Sequence, residues 1–150
     1  MPQSLASIHL HVVFTTKNRQ PWLIAPLAKR TFEYIGGILR ENGCALIDAG
    51  GMPDHVHLLV SISREINTAT LVRIIKSASS RWIHDSFPDL QSFAWQTGYG
   101  AFAVSFTKVS NVRAYIADQE RHHAEESFQD EYRSFLRQHE IHWDEQYVWD

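Results

Sequence analysis

The apolar residues of this chain recur with a strand period, then a helix period, then strand, strand, helix and strand, and few architectures accept that order. Leu10, Val12 and Phe14 alternate with His9, His11 and Val13, which predicts a strand over 8–16. Leu27, Thr31, Tyr34, Ile35 and Ile38 keep helical spacing until Asn42-Gly43 stops it. A short strand over 44–48, a turn over 49–54 and a third strand over 55–62 follow. Asn67 or Thr68 then caps a second helix with Leu71, Ile74, Ile75, Ala78 and Trp82 on one face, and a fourth strand spans 98–106. This β-α-β-β-α-β order predicts an α+β fold, ferredoxin-like or RRM-like, with an antiparallel sheet and helices on one face.

Two further helices are expected, one from Ser110 to about His123 and one opened by Ser127, with Phe128, Tyr132, Phe135 and Leu136 as its stripe. Gly36-Gly37 inside the first helix predicts a close helix–sheet approach. In the ferredoxin-like topology the first and third strands are central neighbours. With Leu10, Val12 and Phe14 facing the helices alongside Val56, Leu58, Val60 and Ile62, the opposite face carries His9, His11, His55 and His57. Four of the nine histidines are thus expected on an uncovered sheet face.

At 150 residues and 44% hydrophobic, the chain can bury a real core, and one domain over 1–150 is expected, with an acidic helix and tail from about 125. Disorder is excluded by that hydrophobicity, and no apolar run approaches the roughly 20 residues of a membrane span. Cys44 is alone, which excludes an internal disulfide or a cysteine-based zinc cage. With no secretion signal, a cytoplasmic setting is expected. The net charge of −3 is an average. Residues 1–110 hold ten Lys/Arg against seven Asp/Glu, and residues 111–150 hold four against ten. A mildly basic body is compatible with nucleic acid.

His55-Val56-His57 sets two imidazoles on one side of a strand, about 7 Å apart, from where both can approach one divalent ion. Chance alone supplies roughly one His-x-His per two chains this rich in histidine, and His9-Leu10-His11 is a second example. Further ligands must come from another element. Tyr115, Gln119 and His122 fall at i, i+4 and i+7 of the third expected helix and line one of its faces.

Taken together, these residues resemble the single-tyrosine HUH transposases of bacterial insertion sequences and their REP-associated tyrosine transposase relatives. The HUH signature stands as Gly51-Met-Pro-Asp-His55-Val56-His57-Leu-Leu-Val60, and the tyrosine signature as Tyr115-Ile-Ala-Asp-Gln119. Lesser matches are Thr15-Thr-Lys-Asn-Arg19, Ser79-Ser-Arg81 and Trp95-Gln-Thr-Gly98-Tyr99. The resemblance implies cleavage and rejoining of single-stranded DNA through a 5′-phosphotyrosine on Tyr115. It also implies His55, His57 and Gln119 around one Mg²⁺ or Mn²⁺. No nucleotide cofactor is required, because the phosphotyrosine conserves the energy of the broken phosphodiester. A free tyrosine has a pKa near 10, so Tyr115 needs activation, for which His122, His9 and His11 are the candidates. Asp54 is an accessory candidate that would orient an imidazole.

Single-stranded or hairpin DNA is the expected partner. Lys17, Arg19, Arg73, Lys76 and Arg81 are candidate phosphate contacts, and Trp95, Tyr99 and Phe102 candidate stacking platforms. The resemblance further implies a homodimer, located in the bacterial cytoplasm and at the nucleoid when bound, with no membrane partner. Two other functions fit the same residues: a non-catalytic nucleic-acid-binding module, and a metal-dependent phosphodiesterase in which water replaces tyrosine.

Overall fold

Strand β1 (His9–Thr15) lies between β3 (His55–Ser61) and β4 (Gly100–Val104), antiparallel to both, and β2 (Ala45–Met52) pairs on the far side of β3. The computed structural model describes residues 2–150, and the sheet order within them is β2-β3-β1-β4. Helices α1 (Leu27–Glu41) and α2 (Thr68–Ser86) cover one face; α3 (Val109–Ala117), α4 (Gln119–His123) and α5 (Phe128–Gln138) follow β4. No helix among the described residues is long and apolar enough to cross a membrane.

The predicted parity holds. Val12 and Phe14 of β1 join Val56, Leu58 and Val60 of β3 in a continuous core with Ile35, Leu39, Leu71 and Ile75 of the two helices. Each such side chain contributes about 1.5–3 kcal/mol on burial. The helix ends follow the local chemistry of the chain. Asn67 Oδ1 accepts the Thr70 amide at 2.8 Å and opens α2. Gly43, at φ +70°, closes α1 in a Schellman turn, with the Cys44 amide donating back to the Leu39 carbonyl.

Four expectations change. The residues assigned to a turn, 49–52, belong to β2, and only Pro53-Asp54 turn the hairpin. A bulge between Leu46 and Asp48 lets Leu46 and Ala49 both face the first core although they stand three positions apart, an offset that alternation would send to opposite faces. The helix expected over 110–123 is broken at Asp118, which leaves helical geometry (φ −102°, ψ 19°), and Ser110 sits inside α3 rather than at its cap. Gly36 makes no tight approach, since an added Cβ there would meet only ordinary contacts from 3.6 Å outward. The tight approaches are elsewhere, at Gly50 against Ile116 and at Gly100 against Tyr132.

The fourth change is the largest. The histidine face of the sheet is covered. Val13 and Phe102 on that face pack with Phe128, Tyr132 and Leu136 of α5, and Phe135, Trp143, Val148 and Trp149 close over them. His11, His55 and His57 are consequently buried, at 3%, 1% and 0% exposure, and only His9 stays partly open beside Phe106.

Candidate active site and metal cluster

The alternation of β3 points His55 and His57 to the same side, and the helices after β4 bring a ring of polar groups down onto them. One ligand atom each from His55, His57, His123 and Glu131 lie within 4.8 Å of one another. Glu131 Oε1 is 3.0 Å from His57 Nε2, 3.3 Å from His123 Nε2 and 3.8 Å from His55 Nε2. Three imidazoles and a carboxylate suit a divalent transition ion by donor type, and a metal can join donors that otherwise face each other in a buried space.

The imidazoles are held from behind. Asp54 Oδ1 lies 2.8 Å from His55 Nδ1. His11 Nε2 lies 2.8 Å from His57 Nδ1, its ring stacked at 5.0 Å between centroids. Burial pushes the His11 pKa down to about 3, with His57 adding to the effect, so His11 is a neutral support for His57. Burial likewise lowers His57.

Tyr115 reaches the cluster within a single chain. Its hydroxyl donates to Glu131 Oε2 and lies 3.0 Å from His122 Nε2. Burial, then the hydrogen bond and charge of Glu131, raise the Tyr115 pKa, so the phenol is held protonated. Burial would raise Glu131 too, but hydrogen bonding and charge from His57, with the Tyr115 hydroxyl, outweigh it and keep the carboxylate ionised. Gln119 Oε1 stands 3.3 Å from His55 Nε2 and 2.9 Å from His123 Nε2, and its amide nitrogen donates to Glu131 Oε2 at 3.2 Å.

The expected residues therefore converge: His55, His57, Tyr115, Gln119, His122, His11 and Asp54 form one connected set. Two members were missed, His123 and Glu131. His123 is hidden beside His122, while Glu131 carried a legible signal as a carboxylate within the apolar stripe of α5, between Phe128 and Phe135.

The candidate DNA contacts divide. Arg73, Lys76, Trp95 and Tyr99 line one cleft between α2 and the 94–99 loop, of about 400 Å³. Arg73 and Tyr99 are exposed there. Lys76 does not face outward as a phosphate contact, because its ammonium donates to the carbonyls of Gln96, Thr97 and Gly98. Trp95 is not a stacking platform either. It is 8% exposed, edge-on to Phe14 and Phe93, with its indole N–H on Ser79 Oγ at 2.9 Å. Phe102 is buried in the second core. Lys17 and Arg19 are exposed after β1, and Arg19 lines a second cleft that opens onto Asp54, His55 and His123. Arg81 is exposed on α2 and lines neither cleft.

The chain is similar to known transposases in sequence and in fold. Residues 4–119 match the family described as "Transposase IS200 like". ISDra2 transposase TnpA of Deinococcus radiodurans is 27% identical over 117 residues, which is 75% of this chain and 84% of that protein. A crystal structure of a candidate transposase from Deinococcus radiodurans superposes with a TM-score of 0.65 at 26% identity, over 79% of this chain and 98% of that one. A REP-associated tyrosine transposase bound to a REP hairpin shares the fold, with a TM-score of 0.61 at 15% identity, over 82% of this chain and 72% of that one.

Proposed function

Because the chain belongs to the IS200-like transposase family, a family of DNA-cleaving and rejoining enzymes, we propose that it processes single-stranded or hairpin DNA through a covalent bond to Tyr115. One observation carries this reading: a single chain brings the Tyr115 hydroxyl, through the Glu131 carboxylate, onto the His55/His57 pair. His55 and His57, with Gln119 beside them, would hold a divalent ion, Mg²⁺ or Mn²⁺. When bound, that ion supplies Lewis-acid polarisation of the scissile phosphate.

The chain's own groups do the rest. Tyr115 Oη attacks phosphorus, the new P–O bond leaves the DNA joined by its 5′ side to tyrosine, and the broken bond leaves a 3′-hydroxyl. The phenolic proton has an acceptor in place, Glu131 Oε2, from which it can pass to the departing 3′-oxygen. His122 Nε2, 3.0 Å from the hydroxyl and 2.7 Å from Glu126 Oε2, faces a carboxylate and is placed to donate to the phenolic oxygen. Asp54 and His11 keep the two imidazoles oriented. Arg19, at the mouth of the cleft beside His55, is placed to meet a phosphate. Rejoining reverses the same step with a 3′-hydroxyl as nucleophile. The homodimer is part of the proposal, and light scattering of the purified protein tests it separately.

The test is a denaturing gel of protein, Mn²⁺ and single-stranded DNA carrying a hairpin end. A covalent adduct in the wild type that disappears in Tyr115→Phe is the expected result. Cleavage without an adduct would replace this reading with the water-using phosphodiesterase, and binding without cleavage with the non-catalytic module.

A further inference from the structure

We infer that Glu131 of α5 is itself a metal ligand, completing with His123 the set begun by His55 and His57, and that its second oxygen ties the nucleophile to that centre. The inference rests on the reading that a divalent ion sits at the histidine pair. Both added residues lie beyond residues 4–119, the part of the chain that matches the family.

Three observations support it. The first is spacing. Donors placed about 2.1 Å from one ion are about 3.0 Å apart in octahedral and about 3.4 Å apart in tetrahedral coordination. The distances of 3.0, 3.3 and 3.8 Å from Glu131 Oε1 to the three Nε2 atoms start at the first value and extend just past the second.

The second is tautomeric. His55 Nδ1 faces the Asp54 carboxylate and His123 Nδ1 faces the Glu126 main-chain carbonyl at 2.9 Å, so both Nδ1 atoms carry hydrogen. In the neutral rings, both Nε2 lone pairs then point inward, at Glu131 Oε1 and Gln119 Oε1, which are acceptors too. Lone pairs that converge on acceptors in a closed space leave a place that a shared divalent ion would fill, with the outer Nδ1–H groups already held as metal-bound imidazoles have them. The third observation is burial. Glu131 is 1% exposed, and a buried carboxylate persists only where positive charge or donors compensate it.

Glu131 divides its two oxygens. Oε1 faces the imidazoles, whereas Oε2 accepts from the Tyr115 hydroxyl and from Gln119. Gln119 contributes a neutral amide that orients this carboxylate, so it ranks below Glu131 as a donor. An ion held this way would pin α5 to β3 and fix the distance from metal to nucleophile.

The experiment uses the full chain with Mn²⁺ or Co²⁺ alone and no DNA. By calorimetry the wild type is expected to bind one ion, Glu131→Gln to bind more weakly by more than the roughly 10- to 100-fold that loss of an outer-shell partner costs, and Gln119→Ala to lose less than that. Hydrogen exchange on the wild type supplies a measurement that does not depend on how a variant folds. Mn²⁺ should slow exchange across α5 as well as β3. The assignment is overturned if Glu131→Gln binds like the wild type, or if Mn²⁺ protects β3 and leaves α5 unchanged. An adduct on Tyr115 alongside those results would leave the transesterase reading standing. Glu131-dependent ion binding without any adduct would do the reverse.

Discussion

Gly50 of β2 and Ile116 of α3 meet with no room for a methyl group between them: a Cβ on Gly50 would lie 2.8 Å from Ile116 Cγ2 and 2.9 Å from the Ile116 carbonyl oxygen. Ile116 is the residue after Tyr115, so this contact sets how near the tyrosine helix comes to the sheet. Gly50→Ala is expected to cost about 1–3 kcal/mol by overpacking and to reduce adduct formation more than DNA binding. A variant with wild-type stability and full adduct yield would show that the contact does not position Tyr115.

Lys76 should matter to the fold more than to DNA. Burial lowers its pKa to about 8, yet three main-chain carbonyls depend on its ammonium, the nearest being Gly98 O at 2.5 Å. Lys76→Met removes all three bonds at once and is expected to destabilise by about 1–3 kcal/mol. Chemical denaturation measures this. If the midpoint is unchanged while DNA affinity drops, Lys76 is a phosphate contact after all.

Alkaline pH should weaken the second core. Burial pushes the Tyr132 phenol up to about 12, whereas in the unfolded chain it ionises near 10. The folded state therefore retains the proton where the unfolded state loses it. This stabilisation is complete below pH 10 and is lost as pH rises from 10 to about 12. The loss amounts to about 2–3 kcal/mol. Tyr132→Phe should flatten that part of the profile, leaving the similarly raised Tyr115 to contribute the remainder. Identical slopes for the two proteins between pH 9 and 12 would contradict this account.

Glu145 fastens the tail. Its carboxylate takes Arg133 through two nitrogens, at 2.7 and 3.0 Å, and the indole N–H groups of Trp143 and Trp149 at 2.9 and 3.2 Å. All of this is at the surface, so Glu145→Ala should barely shift global unfolding. Limited proteolysis should nevertheless cut within 141–150 faster, and an unchanged digestion pattern would mean that apolar contacts alone hold the segment.

Much of this architecture could be read from the residues because period and parity are local properties. Alternation in Leu10–Phe14 and Val56–Ile62 placed one set of side chains in the first core and the histidines on the reverse face. The spacing of Tyr115, Gln119 and His122 still brought them together across the break at Asp118. What escaped was tertiary. Nothing in the strands themselves says that α5 lies over the histidines, so their face read as open. Trp95 and Lys76 looked like binding residues by type, but the partners that occupy them, Ser79 and the 96–98 carbonyls, are only partly near them in sequence. Glu131 required a rule about helices rather than about motifs: a charge inside an apolar stripe is either an error of register or a functional group.

The two sides of the sheet also differ in how far they should tolerate substitution. Around Val12, Leu58 and Ile75 the requirement is volume, and many combinations of Ile, Leu, Val and Met satisfy it. Around His11, His57 and Glu131 each atom already has a named counterpart, so an equally sized residue of another chemistry leaves a donor or acceptor stranded. A library randomised over both layers and sorted for folded protein should therefore drift freely on the first side and stay nearly frozen on the second.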